Sequence, residues 1–196
     1  MNEKDFLSKF HLPWSAGPSH DFPFPAETRP AAVLICLQPP FDDLHVLFTQ
    51  RASHLNHHAG QISFPGGKYE TSDESLIFTA LREAEEEIGL NPNKVRILGT
   101  LPEYKTISGF AVLPVIGILD ESVDLVTDLN IDANEVSRVF QVPLAHLMDQ
   151  KNYFVHHVER KKQSFPVYFI QYENDVIWGA TAGMTALLCK QIDFYS

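Results

Sequence analysis

The stretch FPGGKYETSDESLIFTALREAEEEIGL, residues 64–90, combines a turn, an amphipathic segment and a dense acidic cluster. Its apolar residues recur at helical spacing, which predicts a helix from about Glu74 to Ile88 with one apolar face. Gly89 is a typical residue just beyond the end of a helix. Pro65-Gly66-Gly67 indicates a sharp end to a preceding strand. The stretch therefore predicts a strand, a turn and a helix in immediate succession.

The acidic cluster consists of Glu83, Glu85, Glu86 and Glu87, all near the end of the predicted helix. On a helix that advances about 100° per residue, Glu83, Glu86 and Glu87 share one sector, whereas Glu85 points elsewhere. A solvated outer face is the ordinary interpretation of such a run. Here it costs stability, about 1–3 kcal/mol, because like charges repel and carboxylates in a last turn oppose the helix dipole. Arg82 can pair with Glu86, but one cation does not balance four anions.

A divalent cation would supply the missing compensation. Mg²⁺ and Mn²⁺ prefer oxygen ligands and bind where several carboxylates converge. The glycines before the helix also let the backbone approach a metal ion or a phosphate closely. A local rule that is broken without visible compensation indicates a functional site. The sequence therefore predicts a metal site that contains Glu83, Glu86 and Glu87.

The composition of the whole chain limits the class of protein. Its 196 residues are enough for one domain with a sizeable core, and 44% apolar residues are typical of a globular protein. A net charge of −10 argues against binding to a nucleic-acid backbone, although small phosphate-bearing substrates remain possible. We find no membrane span or signal peptide and expect a cytoplasmic location. Cys36 and Cys189 are interpreted as buried free thiols in a reducing compartment.

Five of the thirteen prolines lie within the first 30 residues. Residues 1–30 are therefore predicted to be an N-terminal arm and a proline-rich connector, and residues 31–196 a single domain. Pro114 is expected to place the middle of its strand at an edge or a bulge. The strand order predicts an α+β fold with a mixed β-sheet sandwiched between α-helices. Predicted strands are 31–37, 44–49, 61–64, 95–101, 110–119, 135–142, 167–172 and 176–178, and predicted further helices are 142–149 and 180–192.

Two parts of the chain resemble a known family. Gly67, an acidic residue at Asp73 or Glu74, and REAEEEIGL at residues 82–90 are similar to the Nudix box, the signature of hydrolases of nucleoside diphosphates linked to other moieties. The segment LFTQRASHLNHHAGQISFPGG, residues 47–67, resembles the coenzyme A pyrophosphatase branch of that family. Asn56 stands where that branch has a second arginine.

The resemblance implies a Nudix hydrolase domain at residues 31–196, with the Nudix fold and a Mg²⁺ or Mn²⁺ cofactor. It implies metal-assisted attack of water on phosphorus, with Glu83 or Glu135 as the general base. The residues expected in the site are Glu83, Glu86, Glu87 and the backbone near Gly67 as metal ligands, Arg82 as the group that orients the carboxylates, and Arg51, Lys68 and Gly60 at the substrate phosphates.

Coenzyme A and its thioesters would be cleaved to 3′,5′-ADP and 4′-phosphopantetheine or its acyl form. A Nudix hydrolase of ADP-ribose or a dinucleoside polyphosphate, and a non-catalytic nucleotide sensor, are the alternatives. We expect a small-molecule substrate, no nucleic acid or membrane partner, and a monomer or homodimer.

Two other groups of side chains suggest different functions. His54, His57 and His58 invite a zinc hypothesis, but they lack cysteine partners or a helical HExxH pattern, so they are interpreted as polar loop residues near the substrate. Trp178, with the aromatic residues Tyr168 and Tyr172, has two interpretations, stacking on adenine or packing on the sheet. The sequence favours packing.

Overall fold

The computed structural model describes residues 1–11, 19–20, 27–38, 43–55, 58–120, 124, 127–160 and 163–193. Most of the predicted connector, together with Asn56 and His57, lies outside these ranges. None of the helices in the described ranges is long and apolar enough to cross a membrane.

The helices are α1 (Glu3–Phe10), α2 (Leu76–Ile88), α3 (Leu144–Met148) and α4 (Ala180–Asp193). The strands are β1 (Ser19–His20), β2 (Arg29–Gln38), β3 (His45–Arg51), β4 (Ile62–Ser63), β5 (Gly66–Lys68), β6 (Val95–Thr100), β7 (Tyr104–Lys105), β8 (Phe110–Leu119), β9 (Val136–Pro143), β10 (Tyr153–Arg160), β11 (Gln163–Tyr172) and β12 (Asp175–Trp178).

The main sheet follows the order β1-β7-β8-β2-β3-β4, with β5 on β2, β6 on β8 and β9 on β3. The pairs β2 with β8 and β1 with β7 are parallel and the others antiparallel, so the sheet is mixed. A second sheet has the order β10-β11-β12. The predicted mixed sheet is confirmed, whereas β1, β5, β7 and β10 were not predicted.

Strand β2 shows why helices cover both faces of the main sheet. Its side chains alternate between two buried clusters, with Leu34 and Cys36 in one and Ile35 and Leu37 in the other. This alternation follows from the two-residue period of a strand. Helix α2 covers the first cluster, and α1, α3 and α4 cover the second. The predicted sheet between helices is therefore the observed architecture.

Helix α2 has clear signals at both ends. Ser75 caps its N-terminus, where its side chain accepts a hydrogen bond from the Phe78 N–H. Gly89 ends it in the left-handed conformation with φ of 69°. Ala80, Ala84 and Ile88 form the buried face. The predicted helix is confirmed, although it begins two residues later than expected.

The prediction that Pro114 marks an edge is wrong, whereas a register irregularity does lie nearby, between Ile97 and Gly99 of β6. Strand β8 is central, with β2 on one side and β6 and β7 on the other. Pro114 faces the gap between Thr100, where β6 ends, and Tyr104, where β7 begins. Its carbonyl accepts a hydrogen bond from the Leu101 N–H at 2.9 Å. A proline is tolerated here because no neighbouring strand requires an N–H at that point.

The N-terminal helix is part of the main core. Phe6 and Phe10 of α1 are buried and stack with ring centroids 5.4 Å apart. They belong to the same cluster as Ile116 and Leu188. The first helix of the predicted arm therefore packs on the sheet that positions the site.

Candidate active site

The two glycines at the start of β5 are required for different reasons. A Cβ on Gly66, where φ is 156°, would lie 2.6 Å from the Val33 Cα and overlap the Ala32 carbonyl oxygen. A Cβ on Gly67 would lie 2.5 Å from Glu83 Oε2 and overlap the rest of that carboxylate. Gly66 thus lets β5 pair with β2, whereas Gly67 leaves space for the Glu83 side chain.

Arg82 connects acidic residues of α2 with an acidic residue that precedes the helix. Its Nε donates to Asp73 Oδ1 at 2.9 Å, its Nη1 to Glu86 Oε2 at 2.8 Å and its Nη2 to Glu83 Oε1 at 3.1 Å. Nη2 also donates to the Lys68 carbonyl at 3.2 Å. The hydrogen bond to Asp73 raises the pKa of the guanidinium further above its usual range. One cation therefore holds three carboxylates and the end of β5 together.

Asp73, and not Glu74, is the acidic residue that accepts hydrogen bonds from Arg82. The Asp73 side chain is buried and accepts hydrogen bonds from Thr79 Oγ1 at 2.8 Å and from the Glu70 N–H at 3.0 Å, besides those from Arg82. The hydrogen bond from Arg82 holds the pKa of Asp73 well below its usual range. Glu74 is exposed. Of the two acids that the sequence left as candidates, Asp73 is therefore the one that binds Arg82.

Glu87 is a buried acid without a full set of partners. It is 4% exposed, and its Oε2 has no hydrogen-bond partner among the described residues. The nearest cation, Arg51 Nη1, is 3.9 Å from Oε1. Burial raises the pKa of Glu87 to about 8, against the opposing charge of Arg51. A buried carboxylate oxygen without a partner is costly, which indicates that another group completes this site.

Glu83 and Glu135 approach the same point from two different elements. Burial raises the pKa of Glu83, the charge of Arg82 lowers it, and the charge of Glu135 adds to the increase. The Glu135 charge also raises the pKa of Glu87. Glu135 is held at the start of β9 because its carbonyl accepts the Ala52 N–H at 2.8 Å. The fold therefore brings together carboxylates that are 48 or more positions apart in the chain.

These side chains line a cleft of about 530 Å³, hereafter the acidic cleft. The sequence-predicted residues that line it are Arg51, Gly67, Lys68, Glu83, Glu87 and Glu135. Gly60 and Glu86 do not line it: Gly60 closes the turn that follows β3, and Glu86 projects outward with 59% of its side chain exposed. Sequence reasoning missed Glu70, Thr106 and Ser108, for which no local pattern gives a signal.

His58 also lines the acidic cleft, and its backbone is unusual. It has φ of 57°, which is uncommon for a residue other than glycine. Its Nδ1 is 2.6 Å from Gln61 Oε1. The histidine run in the sequence was a signal for this position, but the side chain pairs with an amide and not with a metal-ligand set.

A metal ion is implied by the chemistry of the cleft, although its ligands are not gathered. Within the described ranges, no three His, Cys, Asp or Glu side chains come close enough to hold an ion. Mutual repulsion and the pull of Arg82 on Glu83 and Glu86 explain the separation. Two features nevertheless fit a hard cation: the partnerless Glu87 Oε2 and the close approach of the Glu83 carboxylate oxygens to the Gly67 backbone.

Comparison with known proteins identifies the class. A family model described as the NUDIX domain matches residues 28–161, more than half of the chain. The chain therefore belongs to the Nudix family. It is a pyrophosphohydrolase, and hydrolases of this family generally use divalent metal cations.

Individual relatives extend the match over almost the whole chain. A protein of Pectobacterium atrosepticum named "Uncharacterized Nudix hydrolase NudL" is 38% identical over 193 residues, 96% of this chain and 93% of the relative. A protein of the same name from Shigella flexneri serotype 5b is 39% identical over 189 residues, 96% of this chain and 93% of the relative. A crystal structure from Deinococcus radiodurans has a TM-score of 0.51 at 12% identity and covers 84% of this chain and 86% of that one, which is a likeness of fold.

Proposed function

We propose that this Nudix hydrolase cleaves the diphosphate linkage of coenzyme A and its thioesters, releasing 3′,5′-ADP and 4′-phosphopantetheine or its acyl form. The observation that carries the proposal is one cleft lined by Glu83, Glu87 and Glu135 together with Arg51 and Lys68. A diphosphate requires both a metal ion held by carboxylates and direct positive partners for its oxygens. The acidic cleft supplies both kinds of group.

The choice of coenzyme A rests on the segment before the Nudix box. The pattern over residues 47–67 resembles the coenzyme A branch, and its first arginine, Arg51, lies in the acidic cleft beside Glu87. Arg51 is half-buried, so its charge is less screened than that of a surface cation. Asn56, the other position that bears on this choice, lies outside the described ranges.

We assign Mg²⁺ or Mn²⁺ as the cation, held by Glu83, Glu87 and the Gly67 backbone. Glu86, which pairs with Arg82 outside the cleft, is predicted to be a further ligand only when it turns away from Arg82 toward the ion. These donors are all oxygens, the type that both ions prefer. When bound, the ion supplies charge neutralisation for the diphosphate and acidifies the attacking water.

The residues of the chain have three further roles: orienting the metal ligands, binding the substrate phosphates and accepting a proton. Arg82, fixed by Asp73, orients the Glu83 and Glu86 carboxylates. Arg51 and Lys68 bind substrate phosphate oxygens. Glu135 accepts the proton of the attacking water, because Glu83 is already engaged by Arg82, whereas no side-chain hydrogen bond within the described ranges engages Glu135.

A substrate panel tests the proposal. Purified protein is incubated with Mg²⁺ or Mn²⁺ and with coenzyme A, acetyl-coenzyme A, ADP-ribose or a dinucleoside polyphosphate, and the products are separated and identified by mass. We expect 3′,5′-ADP and 4′-phosphopantetheine from coenzyme A. Intact coenzyme A beside rapid cleavage of ADP-ribose would show that the branch assignment is wrong. Nucleotide binding with no turnover on any substrate would support a sensor.

A matched pair of variants tests the metal site separately. Glu86 and Glu85 are adjacent and exposed, but only Glu86 is paired with Arg82. We expect Glu86→Gln to lower metal-dependent turnover by about 100-fold or more, the scale on which loss of transition-state electrostatics acts. Glu85→Gln is expected to leave turnover within about twofold, since surface changes away from a site have small effects. Full turnover by Glu86→Gln would overturn its assignment as a ligand.

Three further statements about the protein stay predictions. They are the boundary at residue 30, the role of Gly60 at the substrate phosphates and the monomeric or homodimeric state. Deletion of residues 1–11 followed by thermal unfolding would test the boundary, because an independent arm leaves the midpoint unchanged. Sedimentation analysis of the full chain would determine the oligomeric state.

A further inference from the structure

The acidic cleft continues into a second cavity of about 370 Å³, hereafter the side cleft. Both cavities are lined by Arg51, His58 and Thr106, so they form one continuous surface. The side cleft adds Ile107 and Trp178, which do not line the acidic cleft. A substrate whose diphosphate lies in the acidic cleft therefore has room for another part of its structure in the side cleft.

The chemistry of the side cleft differs from that of the acidic cleft. Among the described residues that line it there is no carboxylate, and Arg51 is its permanent cation. Ile107 is 49% exposed and Trp178 is 42% exposed, so both present apolar surface to the side cleft. The side cleft therefore offers an apolar surface for a flat, largely apolar group, with Arg51 where it meets the acidic cleft.

The surroundings of Trp178 fix the orientation of its ring. Trp178 is the last residue of β12, and its ring lies nearly parallel to that of Phe169 on β11, with centroids 6.2 Å apart and 10° between the planes. Strand pairing places these two residues directly opposite each other. A ring held in this way loses little conformational freedom when a flat ligand stacks on it.

We propose that the side cleft binds the nucleobase of the substrate and that Trp178 stacks on it. This inference rests on the proposed hydrolysis of a nucleoside diphosphate derivative. Stacking on an aromatic side chain suits any base, because every base has a π-face, and it requires few directed hydrogen bonds. Sequence analysis favoured simple packing for Trp178, whereas Tyr168 and Tyr172, the other candidates, do not line the side cleft.

Tryptophan fluorescence tests this assignment without turnover. The chain has two tryptophans, Trp14 and Trp178. We expect 3′,5′-ADP to quench the fluorescence saturably, Trp178→Phe to lose that quenching and 4′-phosphopantetheine to produce none. Quenching that persists in Trp178→Phe would come from Trp14 and would overturn the proposal. Quenching of Trp178 by 4′-phosphopantetheine alone would assign the side cleft to the other half of the substrate and would equally overturn it.

Competition by the two products gives a second readout. Trp178→Ala is expected to weaken inhibition by 3′,5′-ADP roughly 10- to 100-fold, the range for loss of one base stack, and to leave inhibition by 4′-phosphopantetheine unchanged. Val176→Ala is the matched control, because Val176 is 44% exposed on the same strand but does not line the side cleft. Equal loss of both inhibitors, with an unchanged unfolding midpoint, would refute base stacking.

The outcomes separate this inference from the proposed function. If ADP-ribose is cleaved and coenzyme A is not, the branch assignment fails, while quenching of Trp178 by ADP still supports the nucleobase site. If coenzyme A is cleaved but adenine nucleotides do not quench Trp178, the proposed function stands and the nucleobase site fails.

Discussion

Replacing Gly67 with alanine should move the Glu83 carboxylate without unfolding the protein. The new Cβ would lie 2.5 Å from Glu83 Oε2, whereas ordinary van der Waals contact begins at 3.4 Å. The carboxylate must therefore move by about 1 Å. The neighbouring atoms are the end of a flexible side chain and not backbone, so the strand itself need not shift. Alanine also reduces the freedom of the unfolded chain, which favours folding by roughly 0.4–1 kcal/mol.

The expected result is a folded protein with impaired catalysis. A displacement of about 1 Å in a positioned group can cost about 100-fold in rate, so we expect turnover to fall roughly 10- to 100-fold. The half-saturating Mn²⁺ concentration should rise, because Glu83 would no longer reach the ion. Turnover against Mn²⁺ concentration and a thermal unfolding curve measure the two effects on the same sample.

Two comparisons make the test specific. Gly66→Ala places its Cβ 2.6 Å from the Val33 Cα. Because a backbone atom cannot move away without distorting the strand, this variant should lower the unfolding midpoint. In a Glu83→Gln background, Gly67→Ala should change turnover by less than about threefold, because coupled residues are not additive. Wild-type turnover in Gly67→Ala with an unchanged midpoint would refute the reasoning that β5 positions Glu83.

Three other perturbations follow from the buried groups. Because burial raises the pKa of Glu87 from 4.5 to about 8, the folded state binds this proton more tightly than the unfolded state. Without divalent metal, the free energy of unfolding should therefore fall by of order 1–4 kcal/mol as the pH rises from about 4.5 to 8. Denaturant unfolding in EDTA measures this change, and Glu87→Gln should show a flatter dependence on pH than the wild type. Phe6→Ala should cost about 3–5 kcal/mol, measured by denaturant unfolding, because Phe6 is fully buried; a cost below about 1 kcal/mol would contradict its place in the core. Burial raises the pKa of Cys36 and of Cys189 to about 12. Cys36 is fully buried, so its thiol should react with a thiol reagent at pH 8 only on the timescale of unfolding, and rapid labelling of Cys36 in the native protein would contradict this. Cys189, which was also predicted to be buried, is only partly buried.

The helix that carries the acidic residues could be predicted because its signals are local. Apolar spacing, the stop at Gly89 and the clash of like charges all lie within residues 74–90, and α2 ends as predicted at Ile88. The sequence also predicted that Arg82 pairs with Glu86, and the structure confirms this pair. The sequence did not identify the role of Asp73, because spacing alone left both Asp73 and Glu74 as candidates. Burial and the hydrogen bond from Thr79 distinguish them.

The position of Pro114 shows why strand neighbours are harder to predict. A proline is excluded only where a neighbouring strand needs its N–H, and that depends on where β6 and β7 end. The end of β6 is 14 positions and the end of β7 is 9 positions before Pro114 in the chain, beyond any local pattern. The same reason explains why the short strand β7 was missed.

Residue type and helical spacing by themselves determined the α2 helix and the acidic set at residues 83–87, because each depends on interactions within a few residues. The order of the predicted strands and helices along the chain indicated the fold class. Tertiary structure alone decided which of these groups meet. Strand pairing brings Arg51 and Glu135 to Glu83 and Glu87, and it leaves Glu86 facing solvent. It also brings Trp178 to a cavity continuous with the acidic cleft. Contacts between distant positions depend on sheet order and register, which no single segment of the sequence specifies.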